Sequence, residues 1–178
     1  MAEKKYTPMM QHYLKMKEEN PDSILFYRLG DFYEMFFEDA KLVSQELDLV
    51  LTGRSAGVEE KVPMCGIPFH AANSYIQRLV KKGYKVAICE QLEDPSSAKG
   101  LVDRGIIKII TPGTYMDATM DAKSTNYMAS CDVSSFEITV IYCELSTGEL
   151  KYQTLQRSLV ALQKALLEQN VSELEIGR

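Results

Sequence analysis

Phe32-Tyr33-Glu34 is the stretch of this sequence with the most chemistry to offer. Side chains alternate along a strand, so Phe32 and Glu34 share one face while Tyr33 and Met35 take the other. Gly30-Asp31 precedes them and follows the apolar run 24–29, and a Gly-X pair between two such runs signals a two-residue hairpin. The tip of that hairpin would present a flat hydrophobic ring beside a carboxylate. A ring can stack on another flat surface; a carboxylate accepts N–H bonds and, once protonated, can donate one. Pattern alone favours a plainer assignment, because an aromatic-rich hairpin is usually core and a strand glutamate usually solvated. Phe26, Tyr27, Tyr33, Phe36 and Phe37 take that core assignment.

Other reactive side chains are scattered. Arg54, in the polar glycine-bearing stretch 53–60, and Lys99 are candidate phosphate contacts, with a solvated surface role as the alternative. Cys65, Cys89, Cys131 and Cys143 show no CxxC pairing, and His12 and His70 stand at no metal-ligand spacing, so zinc is not expected and the thiols read as small core residues. His70, just ahead of a helical stretch, reads as a structural cap.

Charge argues against a general polyanion binder. The 178 residues carry a net charge of −5. Residues 1–115 hold 15 Lys/Arg against 16 Asp/Glu, and residues 116–178 hold 5 against 9. A protein that grips nucleic acid mainly through phosphates is usually basic. Any such binding must come from a local site or rely on parts of the molecule outside this sequence. The first residues lack the apolar stretch of a signal peptide, and no run approaches the roughly 20 apolar residues a bilayer span requires. A cytoplasmic protein without membrane association is the expectation.

The elements that must position these residues follow from punctuation and period. Thr7-Pro8 starts a helix that Asn20-Pro21 ends. After the hairpin, Ala40, Val43 and Leu47 recur at helical spacing. Residues 50–52 read as a short strand, 53–60 as a loop, 63–68 as a turn-rich crossing, and 71–82 as an amphipathic helix closed by Gly83. Residues 86–90 and 106–110 read as strands, with a loop over 94–105 between them. Small polar residues 116–125 read as a linker. Beyond it come strands at 127–133, 136–145 and 150–155, a helix from Ser158 to about Gln169, and a strand at 174–176. The expected division is 1–115, linker 116–125, and 126–178. Three strands, a helix and a strand is the opening of an α/β unit, which is expected to end unfinished.

Four ordered segments carry a resemblance. Phe26-Tyr27-Arg28-Leu29-Gly30-Asp31-Phe32-Tyr33-Glu34, Pro63-Met64-Cys65-Gly66-Ile67-Pro68-Phe69-His70, Ala87-Ile88-Cys89-Glu90-Gln91 running on to Asp94-Pro95 and Lys99-Gly100, and Ile109-Ile110-Thr111-Pro112-Gly113-Thr114 stand in the order and spacing of the MutS mismatch-repair family. The chain resembles the N-terminal end of that family over 7–115 and, more loosely, beyond. The resemblance implies an α/β fold: a mixed-sheet domain flanked by helices, then the first part of a ribonuclease-H-like connector domain. It further implies that Phe32 and Glu34 read mismatched double-stranded DNA. The ring would wedge between base steps from the minor groove, at a cost of about a few kcal/mol per unstacked step. A mispair lowers that cost, so deformability rather than a base code would supply specificity. Glu34 would bond the displaced base and repel intact duplex.

The family's longer chains imply more: ATP and magnesium as cofactors of domains outside this sequence, a homodimer, and other repair proteins as partners of the connector. No cofactor is expected within these residues, since no Gly-rich loop ending in Gly-Lys-Ser/Thr occurs. Two alternatives accompany this reading. One is a protein-interaction module, suggested by the acidic second half. The other, weaker one is a metal-dependent ribonuclease-H-like nuclease built on Asp132, Glu144 and Glu168.

Overall fold

The computed structural model describes residues 6–93, 102–115 and 126–176. They form two compact units, which divide between Ile110 and Thr111. The segment 111–115 therefore belongs with the second unit, and the expected linker 116–125 lies outside the described residues. No helix among the described residues is long and apolar enough to cross a membrane.

The first unit runs α1 (Pro8–Glu19), β1 (Ser23–Leu29), β2 (Phe32–Phe36), α2 (Phe37–Leu47), β3 (Thr52–Arg54), β4 (Val62–Pro68), a one-turn 3-10 helix (Phe69–Ala71), α3 (Ala72–Lys81), β5 (Lys85–Gln91) and β6 (Arg104–Ile110). The six strands make one mixed sheet in the order β3-β4-β2-β1-β5-β6, in which β1 and β5 are parallel and the other neighbours antiparallel. α1 begins as its sequence suggests: the Thr7 hydroxyl accepts the Met10 N–H and Pro8 takes the first helical position, a cap that contributes about 1 kcal/mol.

Alternation splits the sheet into two apolar faces. On one, Met10 and Tyr13 of α1 pack with Leu25, Tyr27, Phe36, Val62, Ala87 and Cys89. On the other, Met35 and Cys65 stand side by side in register, and the Cys65 thiol donates to the Ala40 carbonyl of α2. Asp39 ties the layers together. Its buried carboxylate accepts from Lys17 Nζ at 2.8 Å, the Leu25 amide at 2.9 Å and the Tyr13 hydroxyl at 3.3 Å. Pairing and hydrogen bonds of this kind offset the desolvation penalty that an isolated buried charge would carry.

Two expectations change here. The 63–68 stretch is not a turn-rich crossing but an inner strand, β4, between β3 and β2. Its prolines are tolerated because of where their missing N–H groups point. The Phe69 amide donates to Asp31 O at 2.9 Å, which marks Phe32↔Pro68 as a pair whose own amides face away from each other. Pro68 therefore turns its nitrogen toward the β3 side, where pairing has already stopped at Thr52↔Met64. Likewise Gly53 and Arg54 lie in β3, not in a loop, and residues 50–51 precede the strand.

The second unit comprises β7 (Tyr127–Val133), β8 (Glu137–Glu144), β9 (Glu149–Gln156), α4 (Leu159–Glu168) and β10 (Val171–Ile176). Its sheet runs β10-β7-β8-β9, with β10 parallel to β7. Leu162 of α4 packs on Tyr127, Ala129, Cys131, Ile138, Val140 and Tyr142. The Ser158 hydroxyl caps that helix by accepting the Ala161 N–H. At the β8–β9 turn, Glu144 accepts from Ser146 Oγ at 2.8 Å, the Thr147 amide at 2.7 Å and Thr147 Oγ1 at 2.6 Å. The two hydroxyls are the main reason that its carboxyl is held down at about 2.

Candidate functional site

The β1–β2 hairpin turns in two residues, and Gly30 takes φ +57° there, a region that only glycine enters without a Cβ penalty. Leu29 and Phe32 are partners across the turn. Phe32 is 47% exposed, whereas Tyr33 and Met35 are buried on the opposite face. α1 covers the Phe36 and Tyr27 end of the front face. Phe32 is left as an aromatic ring in water at the end of a rigid strand.

Glu34 shares that face, and its carboxylate is ion-paired to Arg54. The two residues lie on β2 and β3, with β4 between them. Opposite Glu34 on β4 stands Gly66. A Cβ there would meet the Glu34 Cγ at 3.5 Å, in ordinary van der Waals contact with the side chain that crosses the strand. Glu34 is largely shielded and Arg54 about a third exposed. Arg54 also lies 6.0 Å from the Phe36 ring centroid. The structure thus brings Phe32, Glu34 and Arg54 to one face, with Arg54 bound to the carboxylate. Lys99 lies outside the described residues.

Behind the turn is a second cluster, which the sequence reading did not single out. Arg28 donates through Nε to the Gly30 carbonyl and through Nη1 to Glu90 at 3.4 Å. Its guanidinium carbon sits 3.7 Å from the Phe69 ring centroid. Tyr33 donates its hydroxyl to Glu90, and burial and that carboxylate push the phenol up to about 12. One signal was available: Arg28 is a lone cation in an otherwise apolar strand, two residues before the turn.

The remaining candidates resolve simply. His70 is exposed and supplies no side-chain cap to the 3-10 turn or to α3; its ring lies edge-on to Phe69. This corrects its assignment as a cap, since the 3-10 turn runs directly into α3 and neither N-terminus has a side-chain cap. His12 Nδ1 lies 3.0 Å from the Tyr27 hydroxyl, and burial, then Arg104, lowers its pKa. Cys65, Cys89 and Cys131 are buried, and burial raises the thiols of Cys65 to about 12 and Cys89 to about 11. Those two are not thiolate nucleophiles near neutral pH.

The carboxylates proposed for a nuclease do not cluster. Asp132 pairs in register with Thr139, and Glu144 with Tyr127, which puts them at opposite ends of the β7–β8 ladder. Five residues of strand separate those positions by about 16 Å, far more than the ~4 Å of a two-metal centre. Glu168 pairs instead with Lys164. No group of three or more potential metal ligands occurs among the described residues.

Residues 7–119 match the family model described as MutS domain I. A DNA mismatch repair protein MutS of Clostridium botulinum (strain Loch Maree / Type A3) is 54% identical over 177 residues, covering 94% of this chain and 19% of that protein. The MutS protein of Clostridium tetani (strain Massachusetts / E88) is 58% identical over 146 residues, covering 82% of this chain and 17% of its own length. The chain therefore spans about a fifth of the length of the curated relatives it matches. On the strength of the family-model match and these identities, the chain belongs to the MutS family.

Proposed function

We propose that this chain reads mismatched double-stranded DNA for mismatch repair, with Phe32 as the wedge and Glu34 as its hydrogen-bonding partner. The observation that carries the reading is the alternation at the hairpin: Phe32 is 47% exposed while its neighbour Tyr33 is buried. A ring so placed can enter between base steps and replace the stacking that it disrupts. Mispaired steps unstack at lower cost, so binding favours them without a base code.

The Arg54 contact refines the role of Glu34. In the free protein the carboxylate is neutralised by Arg54, so Glu34 itself presents no bare negative charge toward the phosphates. On insertion, a base N–H and Arg54 share the carboxylate. Arg54 thus acts chiefly through Glu34 rather than as an independent phosphate anchor. With a net charge of −5, these residues contribute little counterion release. Non-specific grip, ATP hydrolysis with magnesium, and homodimer formation fall to the rest of a longer protein. A second reading, docking of other repair proteins on residues 126–176, is favoured by the apolar sheet face at Ile141, Leu150 and Tyr152.

The test uses the longer protein carrying this chain. Phe32→Ala is expected to remove most of the preference for a G·T duplex over its matched counterpart, about 1–3 kcal/mol, with the thermal midpoint unchanged. Glu34→Ala deletes a negative charge and frees Arg54, so matched-duplex affinity rises and falls more steeply with salt. A sharp loss of thermal stability in Phe32→Ala would assign the ring to the core. Retained discrimination in both variants would place the site elsewhere.

A further inference from the structure

We infer that Arg28 and Phe69 are positioning residues for Phe32, forming a buttress that locks the hairpin tip against the push of DNA. The inference rests on the wedge reading above. A ring driven between base steps transmits force back along its strand, and a two-residue turn with only strand pairing behind it would swing. Insertion then costs the entropy of ordering the tip as well as the unstacking. Here the tip is ordered in advance.

Four contacts back the tip, two on the carbonyls of Gly30 and Asp31 and two on the Arg28 guanidinium. Arg28 Nε donates to the Gly30 carbonyl. The Phe69 amide donates to the Asp31 carbonyl at 2.9 Å. The Phe69 ring lies flat enough over Arg28 to place the guanidinium carbon 3.7 Å from its centroid. Glu90 accepts from Arg28 Nη1 at 3.4 Å and is itself bonded by Tyr33. Each of the two turn carbonyls thus has a donor from outside the hairpin ladder.

The residue types fit the task. Arginine's planar fork can bond the turn carbonyl and Glu90 at once while offering a face for stacking; a lysine ammonium supplies the charge without the plane. Phe69 is 41% exposed, and its ring stacks on Arg28. Its backbone is fixed because Pro68 is the register partner of Phe32. The strand that carries the buttress is therefore the one directly paired to the wedge.

In the longer protein, Arg28→Lys and Phe69→Ala are each expected to weaken G·T binding by about three- to tenfold, the cost of ordering one loosened element. Matched-duplex affinity and the thermal midpoint should hold, and end-label energy transfer should report fewer kinked complexes. Phe69→Tyr, which keeps the ring, should restore wild-type values. The deciding measurement is a cycle with Phe32→Ala. If the buttress acts through the wedge, Arg28→Lys has no further effect once Phe32 is gone.

An equal additional loss in the Phe32→Ala background would overturn the inference, as would unchanged G·T affinity in both single variants. Should Arg28→Lys fail to fold, the same cycle is run with Phe69→Ala, a surface ring whose removal opens no core cavity. Full discrimination by Phe32→Ala itself would instead sink the wedge reading. Loss of discrimination there, with the buttress variants at wild-type level, would sink only this inference.

Discussion

Both sheets leave large apolar side chains in water, but they do so differently. In the first unit α1 closes one face with Met10 and Tyr13, and α2 closes the other against Cys65. Phe32 escapes burial because it stands at the strand end, beyond the reach of α1. On β2 it is a point: one ring, backed by buried Tyr33 and Met35, while Ile107 and Ile109 on the edge strand β6 are exposed as well. In the second unit α4 covers one face. On the other face Ile141, Leu150 and Tyr152 are 50%, 69% and 79% exposed, and Tyr152 pairs in register with Ile141, Leu150 with Cys143. That is a stripe. An exposed ring on a finished, two-sided sheet needs a functional explanation; an exposed stripe on a one-sided sheet needs a covering surface first.

The largest expected effect sharpens the first half of this contrast. Met35, three residues from Phe32 and fully buried, should cost about 2–5 kcal/mol of stability when cut to alanine. Phe32→Ala should cost almost none. Equal losses in denaturant titrations of the two variants would erase the distinction between point and core.

An intermediate effect concerns how the second unit holds its turn. Glu144 sits near 2 rather than the ordinary 4.5 because the Thr147 and Ser146 hydroxyls and amides bond the carboxylate. A carboxyl depressed on folding stabilises at neutral pH, and that contribution drains away as pH falls from about 4.5 toward 2. Replacing both hydroxyls (Ser146→Ala with Thr147→Val) should shrink the stability lost over that window, as read from thermal midpoints between pH 6 and pH 2. An unchanged acid profile would mean the backbone amides alone set the carboxyl.

The smallest effect probes the stripe. Tyr152→Ser should alter stability by no more than about 0.5 kcal/mol, as at most exposed positions, while lowering concentration-dependent association measured by sedimentation. A loss above about 1 kcal/mol would show that the ring is already packed, and the stripe would no longer be open.

Much of this was legible in the chain. Thr7-Pro8 and Asn20-Pro21 bracketed α1, Gly30-Asp31 marked the hairpin, and alternation put Phe32 and Glu34 together, because each of these signals is local. What escaped was set by distant partners. β4 read as a crossing because its prolines are poor strand formers, and only the ends of β2 and β3 explain why they fit. Arg54 read as a loop cation because nothing nearby in sequence announces Glu34, 20 residues away. Arg28 and Phe69 were hidden for the same reason: a lone arginine in a strand says nothing of the ring that covers it.

The order of the central strands has a consequence for how the molecule is made. β1 finds β2 across a two-residue turn, but its parallel neighbour β5 joins Tyr27 to Cys89, 62 positions later. At a ribosomal pace of about 5–20 residues per second, the hairpin waits roughly three to twelve seconds with one flank unpaired. Ile24, Leu25, Phe26 and Tyr27 line that flank. During synthesis this hairpin is an open strand edge rich in apolar side chains, so its first encounter is with whatever shields nascent chains.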